Sequence, residues 1–165
     1  MMENIHVISS WGDGVLRLAA AMAGGMVLGI NRELRGKPAG VRTHALVAIG
    51  SCMAAMVASL VITSPGLPDN DALGRVMQGV ITGVGFIGGG VILKMPESRA
   101  IQGLTTAASV WVTACISIPF ALGLWRLGLA GVGLTLVALL LGGGIEKVSE
   151  RLLGGHKQSN HAKEG

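Results

Sequence analysis

The sequence predicts an all-α integral membrane protein with about five transmembrane helices. Three observations predict it. Half of the 165 residues are hydrophobic and only 13% are charged, against about 25% in ordinary soluble domains. The mean hydropathy is +0.62. The apolar residues gather in five runs, each close to the roughly 20 residues that cross about 30 Å of hydrocarbon. Backbone in lipid must satisfy its own hydrogen bonds, so each run reads as a helix. The same numbers exclude a disordered chain, a nucleic-acid-binding domain and a disulfide scaffold.

Residues 1–13 read as an outer N-terminal segment, 14–145 as the transmembrane domain and 146–165 as a cytoplasmic polar tail. The first twelve residues carry Glu3 and no Lys or Arg. A secretory signal needs a basic start and a cleavable site, so the first apolar run is expected to stay as a membrane helix. That run covers 14–30. Arg17 lies one turn after Asp13 near its outer end, where it can snorkel and pair at i,i+4.

A connection follows with Arg32, Arg35, Lys37 and Arg42 against Glu33 alone. The second run, 45–63, has no charge, and the next connection holds Asp69 and Asp71. The third run, 76–93, is rich in glycine, and Lys94, Glu97 and Arg99 follow it. The fourth covers 102–122, a turn near Gly123 carries Arg126, and the fifth covers 127–145. The tail holds Lys147, Arg151, Lys157 and Lys163; His156 and His161 read as part of its solvated chain rather than as metal ligands. Cys52 and Cys115 fall inside apolar runs and read as small core residues.

Basic residues therefore sit in the first and third connections and in the tail. The positive-inside rule places the N-terminus outside and the C-terminus in the cytoplasm. Trp11 and Trp125 then fall at the outer interface, while Trp111 lies mid-helix. A weak repeat is also visible. Gly40-Val41-Arg42-Thr43-His44-Ala45 and Gly103-Leu104-Thr105-Thr106-Ala107-Ala108 lie 63 residues apart, as do Cys52 and Cys115. This suggests a duplicated two-helix unit with both copies pointing the same way.

The segment Gly83-Val84-Gly85-Phe86-Ile87-Gly88 matches GxGxxG but lacks the strand and helix of a dinucleotide-binding unit. Helix packing is the better reading. Gly25/Gly29, Gly79/Gly83 and Gly85/Gly89 are spaced four apart, which lets helix backbones approach closely. On that reading Gly85→Leu would separate two packed helices. The alternative is that Gly88-Gly89-Gly90 unwinds the third helix and bares carbonyls for a cation.

Polar residues point to a cluster at the inner mouth of the bundle. Asn31, Arg32 and Glu33 close the first helix; Arg42, Thr43 and His44 open the second. Gln78 and Thr82 lie one turn apart on the third, and Thr105 and Thr106 open the fourth. Glu33, surrounded by basic residues, is expected to pair with one of them or to bind a metal ion. One carboxylate is a poor Mg²⁺ site. No HExxH, GxSxG or P-loop is present, so neither an enzyme nor a resident cofactor is expected.

In Gly29-Ile30-Asn31-Arg32-Glu33, Ala39 to Val47, Gln78 to Ile92 and Gly103 to Trp111 the sequence resembles the N-terminal membrane domain of the MgtC/SapB family. The pieces are correctly ordered over about residues 14 to 145. Two departures stand out. The family pattern after the first helix is G-x-E-R-E or G-x-E-R-Q, and Asn31 stands at its first acid. The ACT-like soluble domain of some members is not expected in this chain. The resemblance implies a multi-pass protein of the bacterial inner membrane, tied to low-magnesium adaptation and to virulence. It implies a membrane regulator, with restraint of the ATP synthase as one described role; the alternative is a transporter or channel for Mg²⁺ or another ion, working as a homo-oligomer. The expected partners are the bilayer, a second copy in a homodimer or other homo-oligomer, and another membrane complex; no nucleic acid is expected.

Overall fold

A computed structural model describes residues 10–63, 72–92 and 102–154 of the chain, with side chains over 10–60, 73–92 and 102–142. The described elements are five helices: α1 (Trp11–Leu34), α2 (Val41–Thr63), α3 (Ala72–Ile92), α4 (Leu104–Ala121) and α5 (Trp125–Gly154). All five contain a stretch long and apolar enough to cross a membrane. The connections with Asp69, Asp71, Lys94, Glu97 and Arg99, and the tail histidines His156 and His161, lie outside the described residues.

Two helices differ from the sequence reading. The first begins at Trp11 because Ser10 caps it, its hydroxyl accepting from Asp13 N at 3.3 Å. It runs on through Asn31, Arg32 and Glu33 to Leu34. Hydrophobicity alone ended it too early, because helix stops are set by hydrogen bonding. Here Gly36 takes the left-handed conformation (φ +62°), and its N–H donates to Glu33 O. Similarly, α5 continues to Gly154, past the point where apolar character fades.

The helices alternate in direction. The end of α1 meets the start of α2 and the first turn of α4, and Arg35 reaches Leu140 O on α5. At the other end Arg17 meets Ala121 O, and Phe120 stands edge-on to Trp125 with ring centroids 6.2 Å apart. Helices α1, α2 and α4 form the centre, while α3 and α5 leave most of their surface open. The core is built of small residues: Ala21, Ala48, Cys52, Ala55, Ala114 and Ala121 are buried, with Leu28, Val110 and Phe120 filling the larger spaces.

Small side chains make such packing feasible in lipid, where van der Waals contact rather than hydrophobicity draws helices together. A Cβ on Gly25 would lie 2.6 Å from His44 O, and one on Gly29 2.6 Å from Val41 Cα. These glycines set the α1–α2 crossing as expected. On α3, Gly88 faces α4 at ordinary contact distance, 3.4 Å from Ala107 Cβ. Cβ positions on Gly79, Gly83, Gly85, Gly89 and Gly90 meet nothing among the described residues. The expectation that Gly85→Leu separates two packed helices is therefore not met within one chain. Nor is α3 unwound at Gly88-Gly89-Gly90; it is helical throughout.

The repeat is visible in these contacts. Gly25 packs on His44 and Gly88 on Ala107, and both members of the pair are displaced by 63 residues. Each contact joins a helix to the next, as two copies of a two-helix unit would. Helix α5 stands outside the repeat.

Arg17 is buried, with 3% of its surface exposed, and makes the i,i+4 pair expected of it. It pairs with Asp13 (Nη2 to Oδ2, 2.8 Å) and donates from Nη1 to Ala121 O at 2.8 Å. Helix α4 ends there because Gly123 turns the chain with φ +74°. A Cβ at Gly123 would stand 3.3 Å from the same guanidinium. Cys52 is buried and Cys115 half-buried, and both are free thiols. Trp11 is fully open at the head of α1 and Trp111 is open mid-helix.

Candidate functional site at the α1, α2 and α4 junction

The polar residues that converge lie where the end of α1 meets the starts of α2 and α4. A guanidinium, an imidazole and several hydroxyls are buried there together. Arg32 is 4% exposed and donates through Nη2 to Thr106 Oγ1. Its Nε is buried with no partner among the described residues, as is Asn31 Oδ1 beside it in the chain. His44 is fully buried. Its Nδ1 lies 3.0 Å from Gly40 O and its Nε2 3.2 Å from Ser109 Oγ. A carbonyl only accepts, so Nδ1 carries a proton and donates to Gly40 O.

Sequence reading missed most of this cluster's inner part. Thr106, Ser109, Thr113 and Ser117 are all buried on one face of α4. Ser109 Oγ donates to Thr106 O, Thr113 to Ser109 O and Ser117 to Thr113 O, each at 2.8 Å. The hydroxyls bond back to their own helix, so they can line a protein interface without a polar partner across it. Their spacing of three and four residues was the signal that could have found them.

Glu33 does something other than bridge to a basic side chain. Its Oε2 accepts from Val41 N at 3.1 Å, capping the first turn of α2 from the end of α1. Gly40 has no side chain because Glu33 passes there, 2.6 Å from where a Cβ would stand. Glu33→Ala is expected to cost about 1 kcal/mol through loss of this cap. Glu33→Gln, which keeps an acceptor oxygen, should recover most of it. Apparent melting of the detergent-solubilised variants checks both.

Other expected members do not join. Arg42 and Thr105 are exposed and Thr43 is half-buried. Gln78 and Thr82 lie exposed on the outer side of α3, in line with Gly85 and Gly89. Among the described residues no three His, Cys, Asp or Glu side chains converge as metal ligands. The junction is cationic: the charged group acting on Arg32 is Arg35.

A family model described as "MgtC family" matches residues 18–148. SrpB of Synechococcus elongatus is 43% identical over 129 residues, covering 74% of this chain and 71% of its own. The putative magnesium transporter YhiD of Escherichia coli is 39% identical over 127 residues, covering 76% of this chain and 58% of its own. Protein MgtC of Salmonella typhimurium is 39% identical over 127 residues, covering 77% and 51%. The chain thus spans little more than half of the length of the latter two. No solved structure matches.

Proposed function

The chain belongs to the MgtC family, and from that premise we propose that this multi-pass membrane protein is a regulator. It acts by docking a helix face against another membrane protein, in the bacterial inner membrane and during adaptation to low magnesium. The basic end of the bundle faces the cytoplasm on this reading. The partner is a second copy of the chain or a larger complex such as the ATP synthase.

One observation carries the reading. The outer side of α3 carries Gly79, Gly83, Gly85, Gly89 and Gly90, and a Cβ on any of them meets nothing among the described residues. Glycine in a helix costs about 1 kcal/mol relative to alanine. Close approach by another helix is what such residues allow in lipid, and α3 does not use these five internally. Gln78 and Thr82 on the same side add hydrogen-bonding groups that a partner helix could satisfy.

Gly83→Leu tests it. The variant is expected to express, insert and elute at wild-type level, since its side chain points into open space. It should fail to restore growth of a deletion strain in low magnesium and should lose the crosslinks made by wild type. Full complementation sinks the proposal.

A second reading, Mg²⁺ transport, draws on the name of YhiD. Saturable Mg²⁺ entry into liposomes, followed with a trapped indicator, would establish it. The buried cation at the junction weighs against a cation path there, because like charge raises the barrier.

A further inference from the structure

We propose that the first turn of α4 and the Arg32 guanidinium together bind a phosphate oxyanion. This goes beyond the docking role of α3 and does not rest on it.

The first half of the site is Arg32. It is a cation buried to 4% exposure whose one described partner, the Thr106 hydroxyl, is neutral. Its Nε–H is buried with no acceptor among the described residues. Its charged neighbour is Arg35, which repels rather than compensates. A buried charge is costly unless an opposite charge and hydrogen bonds offset it. The free Nε is one of the two donors with which a guanidinium grips an oxyanion side-on.

The second half is the helix start itself. Helix α4 has 18 residues and begins after Gly103, which has φ +90° and no side chain to cap the turn. The first intrahelical bond is Ala107 N to Gly103 O at 2.8 Å. The N–H groups of Leu104, Thr105 and Thr106 therefore precede the helical ladder and point out of its positive end. Thr106, which holds Arg32, sits in this same turn, and the exposed Thr105 hydroxyl opens it to solvent. The guanidinium thus bonds a side chain of the same turn whose N–H groups precede the helical ladder.

Chemistry selects the ligand. Donors come from two directions, a planar fork and a helix end, and a tetrahedral group with several oxygens can meet both at once. Arg35, Lys37 and Arg42 are exposed at this end of the bundle and favour approach of an anion. The phosphate can belong to a soluble ion or to a lipid headgroup.

The test uses the full chain in maltoside micelles, which contain no phosphate. One arm titrates inorganic phosphate against chloride at constant ionic strength. The other adds phosphatidylglycerol with no free phosphate. Each follows the thermal midpoint. Wild type is expected to rise saturably with at least one probe. Arg32→Gln should weaken that response roughly tenfold or more, while Arg126→Gln, exposed at the opposite end of the bundle, keeps it. If Arg32→Gln does not fold, Thr106→Val, which frees the guanidinium from its anchor, replaces it and should also weaken the response. A rise with inorganic phosphate identifies a soluble ligand, and a rise with phosphatidylglycerol alone a headgroup. The proposal is overturned if neither probe moves wild type, or if the junction variants respond like wild type.

Discussion

Gly29→Leu is expected to prevent stable folding of the bundle. A Cβ at this position would lie 2.6 Å from Val41 Cα and 2.9 Å from both Gly40 O and Val41 N. All three obstacles are backbone, so no side chain can rotate away. Overfilling a packed site costs about 1–3 kcal/mol when neighbours can adjust. Here α1 and α2 must move apart instead. That loosens the Glu33 cap on Val41 and the burial of His44, both of which sit at the same crossing. A loss above about 3 kcal/mol is a large share of the 5–15 kcal/mol that holds a domain together. Fluorescence-detected size exclusion should show no monodisperse peak for Gly29→Leu. Gly50→Leu on α2, where a Cβ meets nothing, should elute as wild type does. Normal elution of both would refute the crossing.

Arg17→Met is also expected to destabilise the bundle, for an electrostatic reason. It removes the cation from Asp13 and the donor from Ala121 O in one step. Arg17 is buried but Asp13 is 22% exposed in the first turn of α1, so the loss is expected at about 1–3 kcal/mol, mainly from the Ala121 carbonyl left without its donor. Adding Asp13→Asn should recover part of that loss. The coupling between the two changes, read from melting midpoints as a double-mutant cycle, is the quantity to measure. Strict additivity would show that the pair contributes nothing.

The five helices were legible in the sequence because length and apolarity decide what crosses a bilayer, and both are local properties. The α1 and α5 ends were less so, since capping and helix continuation depend on single hydrogen bonds. The glycine spacing on α1 and α3 looked alike, yet Gly25 and Gly29 pack within the chain and Gly83 and Gly85 do not. A glycine has no side chain to betray its neighbour, so spacing gives the capacity for contact and not the identity of the contact. At the junction, Arg32 and Thr106 were both named from their positions at helix ends, and they do meet. Ser109 was missed because the hydroxyl spacing it shares with Thr106, Thr113 and Ser117 marks a helix face without saying that His44 lies opposite it. Gln78 and Thr82 were grouped with the junction because they are polar, but the face they occupy is set by α3's rotation, which polarity does not reveal.

The arginines of α1 also have a bearing on how the chain enters the bilayer. Arg17 takes its backbone acceptor from Ala121, 104 residues later, and Arg32 its hydroxyl from Thr106, 74 residues later. Synthesis proceeds at about 5–20 residues per second, so α1 emerges some seconds before either group exists. An arginine at the membrane centre costs about 2.5–3.5 kcal/mol on insertion scales, and less near a helix end, where both of these lie. Helix α1 first packs on α2 through Gly25 and Gly29, and the two arginines gain these acceptors only when α4 arrives. A nascent chain halted after α3 should therefore hold α1 against α2 with both guanidinium groups more open to chemical labelling than in one halted after α4.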